Sequence, residues 1–229
     1  MAKIIEDKEL RNKNYVFRDR FHAGELLAQK LKPYIEPAAN PIVLAIPSGG
    51  VPVGVTIAKR LNVPLDLIIV RKIPIPDNPE AGFGSISWDG EVMINRRLVQ
   101  QLQLTDAEIE SAVQKVKIEL NRRLEKFRGK IPFPQLKDRT VIIVDDGLAS
   151  GYTMLSAVNS IRRKHSPAAI IVAIPTASTS TLELVSPQVD KIFCLNIRDT
   201  MMFAVADAYQ KWYDLSEEEV LEILKGFFR

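Results

Sequence analysis

The residues best suited to chemistry are Asp145 and Asp146, adjacent carboxylates that close the apolar run Val141-Ile142-Ile143-Val144 and open a small-residue stretch reaching Thr153. The β-branched run reads as a strand buried on both faces of a parallel sheet. Unpaired buried carboxylates are costly, so two in succession belong where water, a cation or hydroxyl donors reach them. In an open α/β sheet that place is the crevice above the strand ends. Gly147, Ala149, Ser150, Gly151 and Thr153 are small or hydroxylated, so backbone N–H groups can approach an anion before Met154, Leu155, Ala157, Val158 and Ile161 continue as a helix. A phosphate there meets unpaired donors and the positive end of the helix dipole. Carboxylates beside such a loop suit one ligand that offers sugar hydroxyls to the acids and a phosphate to the loop, and a phosphorylated ribose fits. The plainer reading is a strand-to-helix turn, since Asp and Gly favour turns.

Other phosphate and nucleophile patterns fail on the same letters. No Lys follows the second Gly, which excludes a Walker A loop. Ser150 lies one place too late for a nucleophile elbow, and His22 and His165 are the only histidines. Cys194 is the only cysteine, so there is no intrachain disulfide and no Cys-based zinc site; within Ile192 to Leu195 it reads as a small core residue.

A second candidate site lies upstream. Ile42 to Ile46 reads as a buried strand, followed by the tight loop Pro47-Ser48-Gly49-Gly50-Val51-Pro52 and a helix to about Leu61. Two successive glycines can present N–H groups to an anion, although a plain turn would look similar. Leu65 to Val70 is a third strand-like run that ends in Arg71 and Lys72, two cations expected at a strand terminus facing the crevice. From Ile73 to Asn95 the chain reads as a moving segment. Pro74, Pro76, Asn78 and Pro79 oppose regular structure at its start, while Phe83 to Trp88 and Glu91 to Ile94 flank Asp89-Gly90, a strong hairpin signal. Long loops beside a crevice are usually functional.

These segments need a frame to position them. Asn14 to Tyr34 reads as an amphipathic opening helix. Thr105 and Glu108 have capping-box spacing for a helix to about Arg128, along which Ile109, Val113, Val116, Leu120, Leu124 and Phe127 form one apolar face. That face is expected to pack on the domain's own sheet, with a homodimer contact as the alternative. Ala168 to Ile174 and Lys191 to Ile197 read as further strands around a helix near Thr179 to Val185, and Ser216 to Glu219 cap a final helix. Strands alternating with helices predict one α/β domain over residues 1–229, doubly wound on a mainly parallel sheet. Its 229 residues at 46% hydrophobic content suffice for one substantial core. No apolar run is long enough to span a bilayer and no signal peptide pattern stands at Met1 to Leu10, so a soluble, cytoplasmic protein is expected. The net charge of +3, with cations interspersed among acids, argues against nucleic acid as a partner.

The segment Thr140 to Met154 resembles the phosphoribosyl-pyrophosphate motif of type I phosphoribosyltransferases, with Ser150 where many members carry Thr. Phe17-Arg18-Asp19-Arg20 with Ala23-Gly24, Gly49 to Val53, Pro64-Leu65-Asp66, Val70-Arg71-Lys72, Asn78-Pro79-Glu80 and Glu218-Glu219-Val220 extend the likeness over most of the chain, toward a subgroup of unassigned acceptor. The resemblance implies a flexible lid over 73–95, and the capped helix is a helical excursion over 105–128 between the third strand and the strand that ends in Asp145. The resemblance also implies a small hood, drawn from the N-terminal segment and 196–213, that reads the acceptor. Ser48 stands where members of the subgroup carry Arg, residues 73–95 contain no Lys or Arg, and Met201, Met202 and the Ala206-Asp207 pair depart from the pattern in the hood.

By this likeness the chain transfers a 5-phosphoribosyl group from phosphoribosyl pyrophosphate to a nitrogen nucleophile of the nucleobase kind, with magnesium as cofactor. Asp145 and Asp146 would hold ribose hydroxyls and the metal. Gly147, Leu148, Ala149, Ser150, Gly151, Tyr152 and Thr153 would clamp the 5′-phosphate. Ser48, Gly49, Gly50, Arg71 and Lys72 would meet the pyrophosphate, and Glu80 is the catalytic candidate on the lid. The alternative is a non-catalytic module that senses phosphoribosyl pyrophosphate or a nucleotide, motivated by the missing cations; a nucleoside-phosphate-cleaving activity with water as acceptor is a third reading.

Overall fold

A computed structural model describes residues 1–36, 39–76, 78–200 and 203–228, apart from the side chains of Pro79, Glu80 and Phe228. Buried apolar runs of four to ten residues form the central strands: β2 (Ile42–Ala45), β7 (Thr140–Val144), β8 (Ala169–Ser178) and β9 (Lys191–Arg198). With β1 (Lys3–Ile5) and β3 (Leu65–Leu67) they make a six-stranded sheet in the order β1-β9-β8-β7-β2-β3, and every pairing in it is parallel. Two hydrophobic clusters cover its faces. One gathers α1 (Arg20–Leu31) and α2 (Gly50–Leu61), with Val220 and Leu224 of α7 (Glu217–Phe228); the other gathers α5 (Tyr152–Lys164) and α6 (Thr179–Val185). This is the expected doubly wound α/β architecture.

Three expectations need correction. The opening helix begins at Arg20 rather than Asn14, because the Asp19 carboxylate accepts from the His22 amide as its cap. Residues 7–18 instead run beside the end of the sheet: the Asp7 and Asn12 amides donate to Leu195 and Ile197, and those of Tyr15 and Phe17 to Asp207 and Ala208. The run Leu65 to Val70 is not one strand. It leaves the sheet after Leu67 and starts β4 (Val70–Ile75) of a separate antiparallel sheet, so Arg71 and Lys72 lie within a strand rather than at its end.

The proline-rich stretch is also more regular than its composition suggests. β4, β5 (Asn78–Ser87) and β6 (Val92–Ile94) form that second sheet, with register shifts on both sides of Pro74, where the missing N–H is accommodated at a bulge. Gly90, at φ +83°, supplies the left-handed residue of the turn that joins β5 to β6. That turn is fastened on two sides: Trp88 stacks at 3.9 Å on Phe133 of the stretch that follows α4, while Lys164 of α5 pairs with Asp89 at 3.2 Å and Arg163 of α5 pairs with Glu91. Past the short α3 (Arg96–Gln101), α4 (Asp106–Arg128) starts at the expected Thr105/Glu108 capping box and packs on β4 and β5.

Candidate active site

β2 and β7 are neighbours in register, Ala45 opposite Val144, so both site loops leave the sheet side by side. Between them opens a cavity of about 430 Å³. Asp145 and Asp146 line it, together with Gly147 to Gly151, Thr153, Ser48, Gly49 and Arg71. The residues named from sequence are thus largely brought together. Gly50 is buried beneath the loop, where a Cβ would meet the Val144 carbonyl at 2.7 Å. Tyr152 is turned away, its hydroxyl accepting from Asn95 Nδ2 at 2.7 Å. Lys72 is exposed on the opposite face of β4 from Arg71, and its Cγ fills the space a Gly82 side chain would need. The Glu80 side chain and residues Met201 and Met202 lie outside the described residues.

The loop 147–151 is held from behind. The Leu148 amide donates to the Thr176 carbonyl at 2.9 Å and Thr181 Oγ1 donates to the Ala149 carbonyl at 2.7 Å, fixing the strand-to-helix turn against β8 and α6. Gly151 adopts φ +77° at the start of α5, and a Cβ there would lie 2.8 Å from Thr181 Cγ2. Helices α1, α3, α4, α6 and α7 each receive a side-chain cap, from Asp19, Asn95, Thr105, Ser178 and Ser216. α2 and α5 begin at Gly49 and Gly151 with none. Those two helix starts face the cavity, so their N-terminal partial charges point into it.

Burial, with the neighbouring Asp146 charge, pushes the Asp145 carboxyl well above the usual carboxylate range. Asp146 is raised by the same burial but is held back by Arg20. Arg20 is one residue that sequence reasoning missed as a site component. Its Nε donates to Asp146 Oδ2 at 2.8 Å, its Nη1 donates to the Tyr213 carbonyl at 2.9 Å, and its guanidinium lies 4.0 Å from the centre of the Trp212 ring. Tyr209, 1% exposed, donates its hydroxyl to the Asp146 carbonyl at 2.6 Å, so it belongs to the core beneath the site. Trp212 lines the cavity with Val205, Asp214 and Leu215. Arg123 of α4 also reaches the cavity, and its Nε donates to Glu217 at 3.0 Å. No single-sequence signal marks Arg123, which stands among several cations on one helix.

A hard divalent cation prefers oxygen ligands, and magnesium commonly uses one or two carboxylates and completes its shell with water and substrate oxygens. The donor set fits that pattern. Asp145 is free of any ion pair among the described residues, Asp146 is already engaged by Arg20, and among those residues no cluster of three or more His, Cys, Asp or Glu stands ready to hold an ion unaided.

Fold and cavity together define an α/β protein in which two uncapped helix starts lie beside paired carboxylates at the end of a parallel sheet. The family model described as "Phosphoribosyl transferase domain" matches residues 19–211, and the chain belongs to that family. It is 36% identical over 210 residues to "Putative phosphoribosyl transferase Rv0571c" of Mycobacterium tuberculosis strain H37Rv, covering 91% of this chain and 46% of the relative. The chain therefore spans about half the length of the curated relatives it matches. Among solved structures, TT1426 from Thermus thermophilus superposes with a TM-score of 0.74 at 32% identity, covering 92% of this chain and 98% of that one. A hypothetical protein from Neisseria gonorrhoeae with bound ppGpp shares the fold at a TM-score of 0.50 and 15% identity, covering 94% and 97% of the two chains. Among the described residues no helix is long and apolar enough to cross a membrane.

Proposed function

We propose that the chain transfers a 5-phosphoribosyl group from phosphoribosyl pyrophosphate to a nitrogen nucleophile of the nucleobase class and releases pyrophosphate. The observation that carries this reading is the adjacency of two costly carboxylates, Asp145 and Asp146, to an uncapped helix start at Gly151 within one cavity. A ligand with vicinal hydroxyls next to a phosphate meets both demands. Asp145 and Asp146 accept hydrogen bonds from the ribose hydroxyls, and Arg20 fixes the orientation of Asp146. The amides of 149–153 and the hydroxyls of Ser150 and Thr153 receive the 5′-phosphate, the Leu148 amide being already engaged by the Thr176 carbonyl. Ser48, Gly49 and Arg71 face the pyrophosphate as the bond to ribose C1′ breaks. Magnesium, held by Asp145 and ligand oxygens, would supply charge neutralisation on the pyrophosphate.

Catalysis on this reading is positioning plus electrostatic stabilisation, with no covalent protein intermediate. The carboxylates lie where a developing oxocarbenium-like charge is stabilised. Trp212, Val205, Asp214 and Leu215 form the wall against which the acceptor would sit.

The test is pyrophosphate release from magnesium phosphoribosyl pyrophosphate in the presence of purine bases, pyrimidine bases or no acceptor, with Asp145→Asn/Asp146→Asn alongside. Release that requires a base and disappears in the double variant supports transfer. Binding of phosphoribosyl pyrophosphate without release under any acceptor supports a sensing module instead, and release without a base supports hydrolysis.

A further inference from the structure

The helical excursion 106–128 carries a cluster of cations that the transfer reading leaves unused. Arg122, Arg123 and Lys126 of α4 all pair with Glu217 at the start of α7, Lys126 pairs also with Glu218, and Arg71 pairs with Glu119. Four cations thus share three carboxylates. Two of the four, Arg71 and Arg123, line the cavity, while Arg122 points outward with 54% of its side chain exposed.

Neither cavity arginine is fully used. Arg71 Nε is buried without a hydrogen-bond partner, and among the described residues Arg123 donates only through Nε, leaving both terminal nitrogens of its fork. Burial, and next the nearby Arg71 charge, pull the Arg123 guanidinium below its ordinary range. Like charges brought together in a partly desolvated pocket are unfavourable by themselves, and an anion between them relieves both the repulsion and the unmade hydrogen bonds. The guanidinium fork matches phosphate oxygens in shape as well as in charge.

We propose that Arg123 and Arg71 form a two-arginine subsite for the pyrophosphate group, and that Arg123 rather than Lys72 is its second cation. α4 thereby supplies from a distant part of the chain a positive charge that Ser48 does not provide. Glu217 of α7 orients Arg123 through its Nε and leaves the outer edge of the fork for the anion. The identity of the anion rests on the transfer reading; the arrangement of the cations does not.

The experiment is calorimetric titration of the full chain with inorganic pyrophosphate, with and without magnesium, and separately with ribose 5-phosphate. Arg123→Met, Arg122→Met and Lys72→Met are compared with wild type, and thermal melting checks that each is folded. Arg123→Met is expected to weaken pyrophosphate binding roughly 10- to 100-fold, as for loss of charge-assisted hydrogen bonds, and to leave ribose 5-phosphate within about twofold. Arg122→Met removes a cation from the same Glu217 but not from the cavity, and should stay within about twofold for both ligands, as should Lys72→Met. Arg123→Lys, which keeps the charge without the fork, is expected to fall between and substitutes if the methionine variant does not fold. The proposal is overturned if wild type binds no pyrophosphate, if Arg123→Met binds it as wild type does, or if Arg122→Met or Lys72→Met loses as much. Failure of the transfer reading shows itself elsewhere, as binding of phosphoribosyl pyrophosphate with no base-dependent release of pyrophosphate in wild type.

Discussion

Arg20→Met offers the sharpest test of the charge balance in the cavity. The ion pair it removes is short, 2.8 Å, and the side chains of Arg20 and Asp146 are only 7% and 15% exposed. At an effective dielectric near 20, unit charges about 4 Å apart attract by roughly 4 kcal/mol, and stripping one partner from a buried pair typically costs about 3–5 kcal/mol. The variant also loses the bond to the Tyr213 carbonyl and the contact with Trp212. Partial proton uptake by the two neighbouring carboxyls offsets some of this, so a net loss of about 3 kcal/mol is expected. For a chain of this size that is a fall in Tm of about 6–12 °C. Urea unfolding, checked for two-state behaviour, measures it by linear extrapolation. Asp146→Asn in the Arg20→Met background should cost at least about 1.5 kcal/mol less than the sum of the single changes, because the stranded charge is gone. Additive losses, or a single-variant loss under about 1 kcal/mol, would show that Arg20 is not the counter-charge of Asp146.

Glu217→Gln should be destabilising in a pH-dependent way. Hydrogen bonding from Arg122, ahead of that from Lys126, holds the Glu217 carboxyl down to about 2 against its ordinary 4.5. Its contribution is therefore present above about pH 4.5 and lost as pH falls toward 2; screening reduces a ceiling of roughly 3 kcal/mol to about 1–2 kcal/mol at pH 7. Melting curves of wild type and variant that fail to converge near pH 2 would count against it. Gly49→Ala places a Cβ into the Asp146 carboxylate. We expect about 1–3 kcal/mol of destabilisation by unfolding, and displacement of the acid by about 1 Å should slow pyrophosphate release roughly 100-fold. A near-wild-type rate would mean that Asp146 has room to move. Asp89→Ala removes, at the hairpin turn, a carboxylate that is 1% exposed and pairs with Lys164, with Arg163 at 3.9 Å. Hydrogen exchange should accelerate at the β5–β6 amides and not in β7; uniform acceleration would point to global loosening instead.

What the sequence made legible was local. The Thr105/Glu108 box marked the start of α4, the β-branched run marked β7, and Asp89-Gly90 marked the hairpin, because each signal acts over a few residues. β1 escaped notice since its three residues are mostly exposed and it exists as a strand only by pairing with β9. The break after Leu67 was equally hidden: Ile68, Ile69 and Val70 are as apolar as the strand before them, and only tertiary contacts decide that the chain changes sheets there. The site divided in the same way. Its two glycine-containing loops were readable and Trp212 lay within the hood expected over 196–213, whereas nothing in the local pattern around Arg20 or Arg123 singles out either one as a cavity residue.

The contacts that complete the cavity close very long loops: Arg20 meets Asp146 across 126 positions, and Arg123 meets Glu217 across 94. Closure entropy grows only slowly with loop length, so the finished structure tolerates such spans, but folding must bring the segments together before the contacts stabilise anything. Until Arg20 arrives, Asp145 and Asp146 are safest in water, and the sheet end that carries them resists drying. The last part of the molecule to become compact should then be its working centre, so that ligand binding reports completed folding more faithfully than helix content does.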